Sequence, residues 1–348
     1  MDFKKATTAV TATLNGAGQV MFQQNPITGL LFLAGIFWGS YECHMPQVAW
    51  GALVGLVAST IAGYLTERGS KAGAQGLWGF NGILVGCAFP TFLGNTWLMW
   101  AALIFCSMLT TWVRTGLNNV MAPWKVNSLT FPFVLLTWIF LFASRIMDGI
   151  APTALSDPAL TEHFSSVVDT SFGSLVIYWL KGVAQVFLVN SWVTGIFFLV
   201  ALAVCSRWAA FWGAMGSAIS LAIALLFKAD GSDIANGLFG FSPVLTGIAI
   251  GCTFFKPNIK SAIWAVVAIV ATVFVQAGMD MFFAPFGLPT LTGPFCLTTW
   301  LFLLPLYKFT SPESKHSEWD SEWDTFVDDL RREDKERDSK DLNSKDLK

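Results

Sequence analysis

The amino-acid sequence predicts an all-α polytopic membrane protein made of two inverted repeats. Three observations carry this: a body almost without charge, recurrent apolar segments of membrane-crossing length, and motifs that return in the same order at a nearly constant offset.

Hydrophobic residues make up 54% of the chain and charged residues 13%, about half the roughly 25% charged share of a soluble domain. Mean hydropathy is +0.57. From Glu313 onward the chain holds eight Lys/Arg and thirteen Asp/Glu, which leaves 13 basic and 10 acidic residues for everything before Ser311. So long a body with so few charges suits lipid rather than water as its surroundings. No cleavable leader is evident: Lys4 and Lys5 precede a stretch interrupted by Asn15, Gly16, Gly18 and Gln19. The first apolar segments therefore act as anchors. Six scattered cysteines with no CxxC or Cys/His cluster read as small apolar residues in or beside helices.

Apolar segments fall near 27–43, 46–65, 76–93, 97–113 and 126–143, and resume near 193–207, 209–227, 234–254, 260–276 and 289–307. Each set is preceded by a more polar segment, 8–24 and 172–190. The Gly- and Pro-rich stretches 76–93 and 288–297 are candidates for broken or re-entrant structure, tolerated at that depth only where protein or a cavity covers the backbone. The predicted divisions are a first repeat over 1–145, an extracytoplasmic linker over 146–170, a second repeat over 171–310 and a charged, disordered cytoplasmic tail over 311–348.

The repeat is legible residue by residue. Gln19-Val20 with Thr28-Gly29 returns as Gln185-Val186 with Thr194-Gly195. Gly79-Phe80-Asn81 with Leu84 returns as Gly240-Phe241-Ser242 with Leu245, Ala122-Pro123 as Ala284-Pro285, and Thr130 with Thr137-Trp138 as Thr292 with Thr299-Trp300. The offsets are 166, 161, 162 and 162. Loop charge gives the sense of the repeat, because short basic loops prefer the cytoplasm. Arg68 and Lys71 precede the first Gly-Phe motif and no charge follows it over 93–96, whereas Lys228 with Asp230 and Asp233 precedes the second and Lys256 and Lys260 follow it. The basic side has switched, as five crossings per half require. Lys4, Lys5 and Lys308 then place both termini in the cytoplasm, and short loops point to a bacterial inner membrane. Inverted repeats place a substrate path at their interface.

The ten acids of the body fall at segment ends or in loops, and His44, His163 and His316 stand apart. No metal-ligand cluster, catalytic set or intramembrane proton relay is visible, so no metal, cofactor or nucleic acid is expected. The predicted cargo is a small neutral solute moving passively. A neutral amide, ammonia or water meets these constraints; an ion-coupled secondary transporter is a further alternative, and a membrane enzyme is disfavoured. The matched candidates are neutral. Gln19 and Gln185 lie in weakly polar segments. Thr130 and Thr292 stand beside Pro132 and Pro294, which are expected to free nearby carbonyls over 127–133 and 288–295. Such acceptors would offset the ~4–8 kcal/mol cost of leaving an amide unpaired in an apolar passage. Flat rings at Phe22, Phe80 and Phe241 would favour planar solutes. A single Phe on an apolar helix ordinarily packs, so it is the matched placement that distinguishes these residues.

Leu288-Pro289-Thr290-Leu291-Thr292-Gly293-Pro294-Phe295 resembles the signature of the urea transporter family, as do Gly79 to Leu84 and Gln19 to Phe22. The resemblance covers about 15–307. It implies a homotrimer in the lipid bilayer with one pore per protomer, each half having five spans and a tilted re-entrant helix, and channel-like movement of urea down its gradient. It further implies that Phe22 and Phe80 form an outer slot near Val20 and Val186, and that Phe241 walls an inner slot. Leu84 and Leu245 would line the pore, Thr130 and Thr292 its constriction, and Gln19 and Gln185 the ends of its oxygen ladders. The sequence departs at Leu188, which stands where Phe22 stands in the first half and leaves the inner slot one phenyl wall. It departs also at Gln185, where some relatives carry Glu, and at Val126-Asn127, where the first signature lacks Leu-Pro.

Overall fold

The computed structural model describes residues 3–67, 70–158 and 165–306. Arg68, His163, Lys308, His316 and the whole tail 311–348 lie outside the described residues, and with them the expectation of tail disorder.

Each of the twelve expected segments becomes a helix. The first half runs α1 (Phe3–Gln19), α2 (Pro26–Glu42), α3 (Pro46–Thr66), α4 (Lys71–Ala74), α5 (Phe80–Phe92), α6 (Trp97–Met121) and α7 (Phe131–Ser144). The second runs α8 (Phe172–Ala184), α9 (Trp192–Cys205), α10 (Arg207–Leu226), α11 (Gly231–Ala235), α12 (Phe241–Ile248), α13 (Ile259–Phe283) and α14 (Gly293–Leu303). A π-helical turn, Ala249–Thr253, continues α12. The chain is a multi-pass membrane protein: α3, α6, α10 and α13 are each long and apolar enough to cross a bilayer, and α8 and α9 form a bent pair at 72°. α5, with 13 residues, and α14, with 11, are too short to cross alone, since ~20 residues are needed.

Local chemistry sets the starts. Asn25 accepts from the Ile27 and Thr28 amides ahead of Pro26, and its counterpart Ser191 accepts from Thr194 N. Thr96 caps α6, and Asn258 caps α13 with a full capping box. Outward faces are apolar in register with the helix, as along α9 at Trp192, Ile196, Val200 and Val204, all exposed. Inward faces carry small residues. A Cβ on Gly55 would lie 2.1 Å from Gly82 O, and one on Gly51 2.2 Å from Gly86 O, so α3 and α5 touch backbone to backbone.

The repeat extends to backbone conformation. Phe22 and Leu188 (φ 61° and 57°), Leu129 and Leu291 (51° and 52°), Lys125 and Gly287 (55° and 60°), and Gly76 and Gly237 (82° and 73°) are matched pairs in the left-handed region. Side chains rarely adopt it at non-glycine positions, so its recurrence in both halves marks one loop design used twice.

Matched helices present opposite ends to one segment. The cap of α6, Thr96, donates from Oγ1 to Gly149 O at 3.0 Å. The far end of α13 meets the same segment: Arg145 Nη2 donates to Gly287 O at 3.0 Å and to Ser156 O at 2.7 Å.

Two boundary expectations change. α6 and α13 run on to Met121 and Phe283, past the expected 113 and 276. Arg114 is therefore buried within α6, 3.1 Å from Glu67, and Asp280 stands at a segment end, in the last turn of α13. α4 and α11 were not expected.

Candidate permeation site

The centre of the site is a contact between matched residues. Thr130 and Thr292 immediately precede α7 and α14 and occupy their N-cap positions, yet neither side chain caps its own helix. Both are 3% exposed, and their hydroxyls lie 2.7 Å apart. Two helix N-termini thus face each other across a pair of hydroxyls, a locally positive setting that favours oxygen lone pairs. Pro132 and Pro294 sit in the first turns of α7 and α14, where a proline costs no helical bond. They start helices, and the carbonyls of Ser128 and Thr290 ahead of them accept turn amides rather than helical ones. The oxygens of Ser128, Thr130, Thr290 and Thr292 accept turn or helix amides at 3.0–3.1 Å, and each keeps a second lone pair.

Tryptophans tie the two pre-helical segments together reciprocally. Trp138 Nε1 donates to Pro289 O and Trp300 Nε1 donates to Asn127 O, both at 2.9 Å. Behind these segments, Ser128 N donates to Asn118 Oδ1 at 2.8 Å and Thr290 Oγ1 donates to Asp280 Oδ1 at 2.9 Å. Asn118 and Asp280 are themselves a matched pair. Asn81 accepts from Phe133 N at 3.2 Å and so fixes the start of α7.

The glutamines adopt one pose in both halves. Gln19 Nε2 donates to Gln75 O and Gln185 Nε2 donates to Asn236 O, each at 2.9 Å. A backbone carbonyl accepts only from the amide nitrogen, so each Oε1 is left as the free acceptor. Val20 and Val186 follow and are buried. Phe22 packs edge-on against Phe254 and Phe295, at ring-centroid separations of 5.7 and 6.1 Å, so a first-half ring rests on second-half elements. The π turn delivers Phe254 there. Leu188, half-buried, holds the matched left-handed position. Phe80 and Phe241 open α5 and α12, with Leu84 and Leu245 one turn on along the same faces, fully buried.

Sequence reasoning did not assign Trp138, Trp300, Asn118, Asp280, Phe254 or Cys296 a place here. The tryptophans were visible as matched residues, and Asn118 with Asp280 share the 162 offset. Cys296 matches Val134 at the 162 offset and left no repeat signal, and Phe254 falls outside the repeated motifs. Cys296 is more than an apolar filler, since its sulfur lies 3.3 Å from Thr130 Oγ1.

A family model described as urea transporter matches residues 10–307. Urea transporter 1 of Ovis aries is 31% identical over 327 residues, covering 90% of this chain and 84% of its own length. Urea transporter 1 of Rattus norvegicus is 32% identical over 303 residues, covering 84% and 75%, and that of Mus musculus 33% over 304 residues with the same coverage.

Proposed function

Because the chain belongs to the urea transporter family, we propose that it passes urea down its gradient through a channel between its two halves. It is a membrane transporter and not an enzyme. The observation that carries the channel reading is the 2.7 Å contact of the matched hydroxyls of Thr130 and Thr292. A planar diamide entering a passage too narrow for its hydration shell must exchange water for fixed acceptors. The threonine hydroxyls supply them at the centre and Gln19 and Gln185 Oε1 at either end. Phe22, Phe80 and Phe241 act as flat walls, with Val20, Leu84, Val186, Leu188 and Leu245 as apolar lining. An ion would face desolvation without a compensating charge.

The two repeats, 1–145 and 171–310 joined by 146–170, have opposite orientations in the membrane. Support comes from α6 and α13, which offer opposite ends to the segment 145–156. The protein assembles as a homotrimer in the inner membrane with both termini in the cytoplasm. Among the described residues the charges inside the spans are met locally, Arg114 by Glu67 at 3.1 Å and Asp280 by Thr290 Oγ1 at 2.9 Å, which argues against ion coupling.

The test is stopped-flow light scattering on proteoliposomes of the full chain. Urea equilibration faster than in empty liposomes, without a sodium or proton gradient, is the expected result. Equilibration no faster than in empty liposomes overturns the reading; dependence on an ion gradient overturns the channel.

A further inference from the structure

The constriction is not symmetric. Cys296 lies one turn beyond Thr292 on α14, its amide bonded to Thr292 O at 3.1 Å. It is fully buried, and its sulfur lies 3.3 Å from Thr130 Oγ1. The matched residue of the first half is Val134, equally buried, which can take no proton from Thr292. The hydroxyl of Thr130 thus has two polar neighbours, Thr292 Oγ1 at 2.7 Å and Cys296 Sγ at 3.3 Å.

Proton accounting gives this asymmetry a consequence. Each hydroxyl has one proton and two lone pairs, and a thiol is a weak donor and weak acceptor. In one order, Thr292 O–H donates to Thr130 and Thr130 O–H donates to the sulfur. Both hydroxyl protons are then consumed inside the cluster, and the remaining lone pairs, two on Thr292 and one on Thr130, are left for the passage. In the other order the thiol donates to Thr130, Thr130 donates to Thr292, and the Thr292 proton is left pointing outward. The first order meets an amide N–H with acceptors alone; the second sets a donor against a donor.

We propose that Cys296 is a specificity-determining residue, the proton sink that makes the threonine pair an acceptor surface for solutes rich in N–H groups. This rests on the reading of Thr130 and Thr292 as the constriction. Val134 leaves Thr130 as the one hydroxyl of the pair with a second polar neighbour, Cys296; the proposal is the first order, from Thr292 to Thr130 to sulfur.

The experiment compares full-chain wild type, Cys296→Val, which copies the first half, and Cys296→Ser, which retains a proton acceptor. Each is reconstituted and assayed for urea flux over a range of urea concentration, with thermal unfolding measured in parallel. C296V is expected to lose about three-fold or more in urea flux and to need more urea for half-saturation, at an unchanged melting temperature, while C296S recovers most of the flux. Mercuric chloride, a thiol ligand, is expected to block wild type and to spare C296V. If valine does not fold there, Cys296→Ala supplies the same contrast. Urea flux in C296V or C296A equal to wild type, or C296S as slow as C296V, overturns the proposal. Absence of flux in wild type itself would instead defeat the channel reading.

Discussion

At the residue scale, burial of polar groups is compensated one bond at a time. Glu67 accepts from Trp78 Nε1 at 2.7 Å and from Arg114 at 3.1 Å, and Thr115 bonds it too. With side chains only 9% and 16% exposed, Arg114 and Glu67 form a largely desolvated pair. Removing one partner of such a pair costs about 3 kcal/mol, so Arg114→Ala lowers the melting temperature measurably in detergent. Arg114→Gln costs less, because Gln276 at the matched position donates to Leu238 O and shows a bond the amide can make. Equal losses in the two variants would contradict this account. For the matched glutamines, Gln19→Leu and Gln185→Leu each remove a donor held by a carbonyl and the acceptor proposed to serve the passage. A hydrogen bond contributes roughly 1 kcal/mol, so each substitution lowers urea flux about five-fold; unchanged flux in both removes the glutamines from the path.

At the scale of elements, contact geometry decides what a helix tolerates. A Cβ on Gly55 meets a carbonyl of α5 at 2.1 Å, an atom that cannot swing aside as a side chain can. Overpacking of this kind costs about 1–3 kcal/mol. Gly55→Ala therefore lowers the unfolding temperature, whereas Gly116→Ala, with nothing within 4 Å, leaves it unchanged or raises it. The elements themselves were readable because apolar length is a direct demand of the bilayer. The ends were less so: Arg114, Asn118 and Asp280 look like loop residues by polarity, and their helices continue because Glu67 and the pre-helical residues Ser128 and Thr290 satisfy them. α4 and α11 are single short turns stabilised by tertiary contact rather than by a periodic pattern.

At the scale of the molecule, two copies of one design meet face to face. The reciprocal bonds of Trp138 and Trp300 to the opposite pre-helical segment make the contact between halves a single unit. Their replacement by Phe keeps the ring and removes the donor. The double variant W138F/W300F should lose flux less than the product of the single losses, because both bonds brace the same pair of segments; strict additivity would argue against a shared brace. The threonines, the glutamines and Phe80 with Phe241 were legible because repetition singled them out of a sequence rich in Thr and Phe, whereas Phe22, matched by Leu188, was legible only through the motif it shares with Gln19 and Val20. Cys296, which faces Val134 at the matched position, was invisible for the same reason.

The central claim is that Thr130 and Thr292, one from each half, act as a joint acceptor in the passage. Urea flux through proteoliposomes of wild type, Thr130→Val, Thr292→Val and the double variant tests it directly, since valine keeps the shape and deletes the hydroxyl. Each single variant is expected to lose about ten-fold, at roughly 1.4 kcal/mol per lost bond, and the double variant little more than either. Flux in both single variants equal to wild type, with the protein folded, would contradict the account.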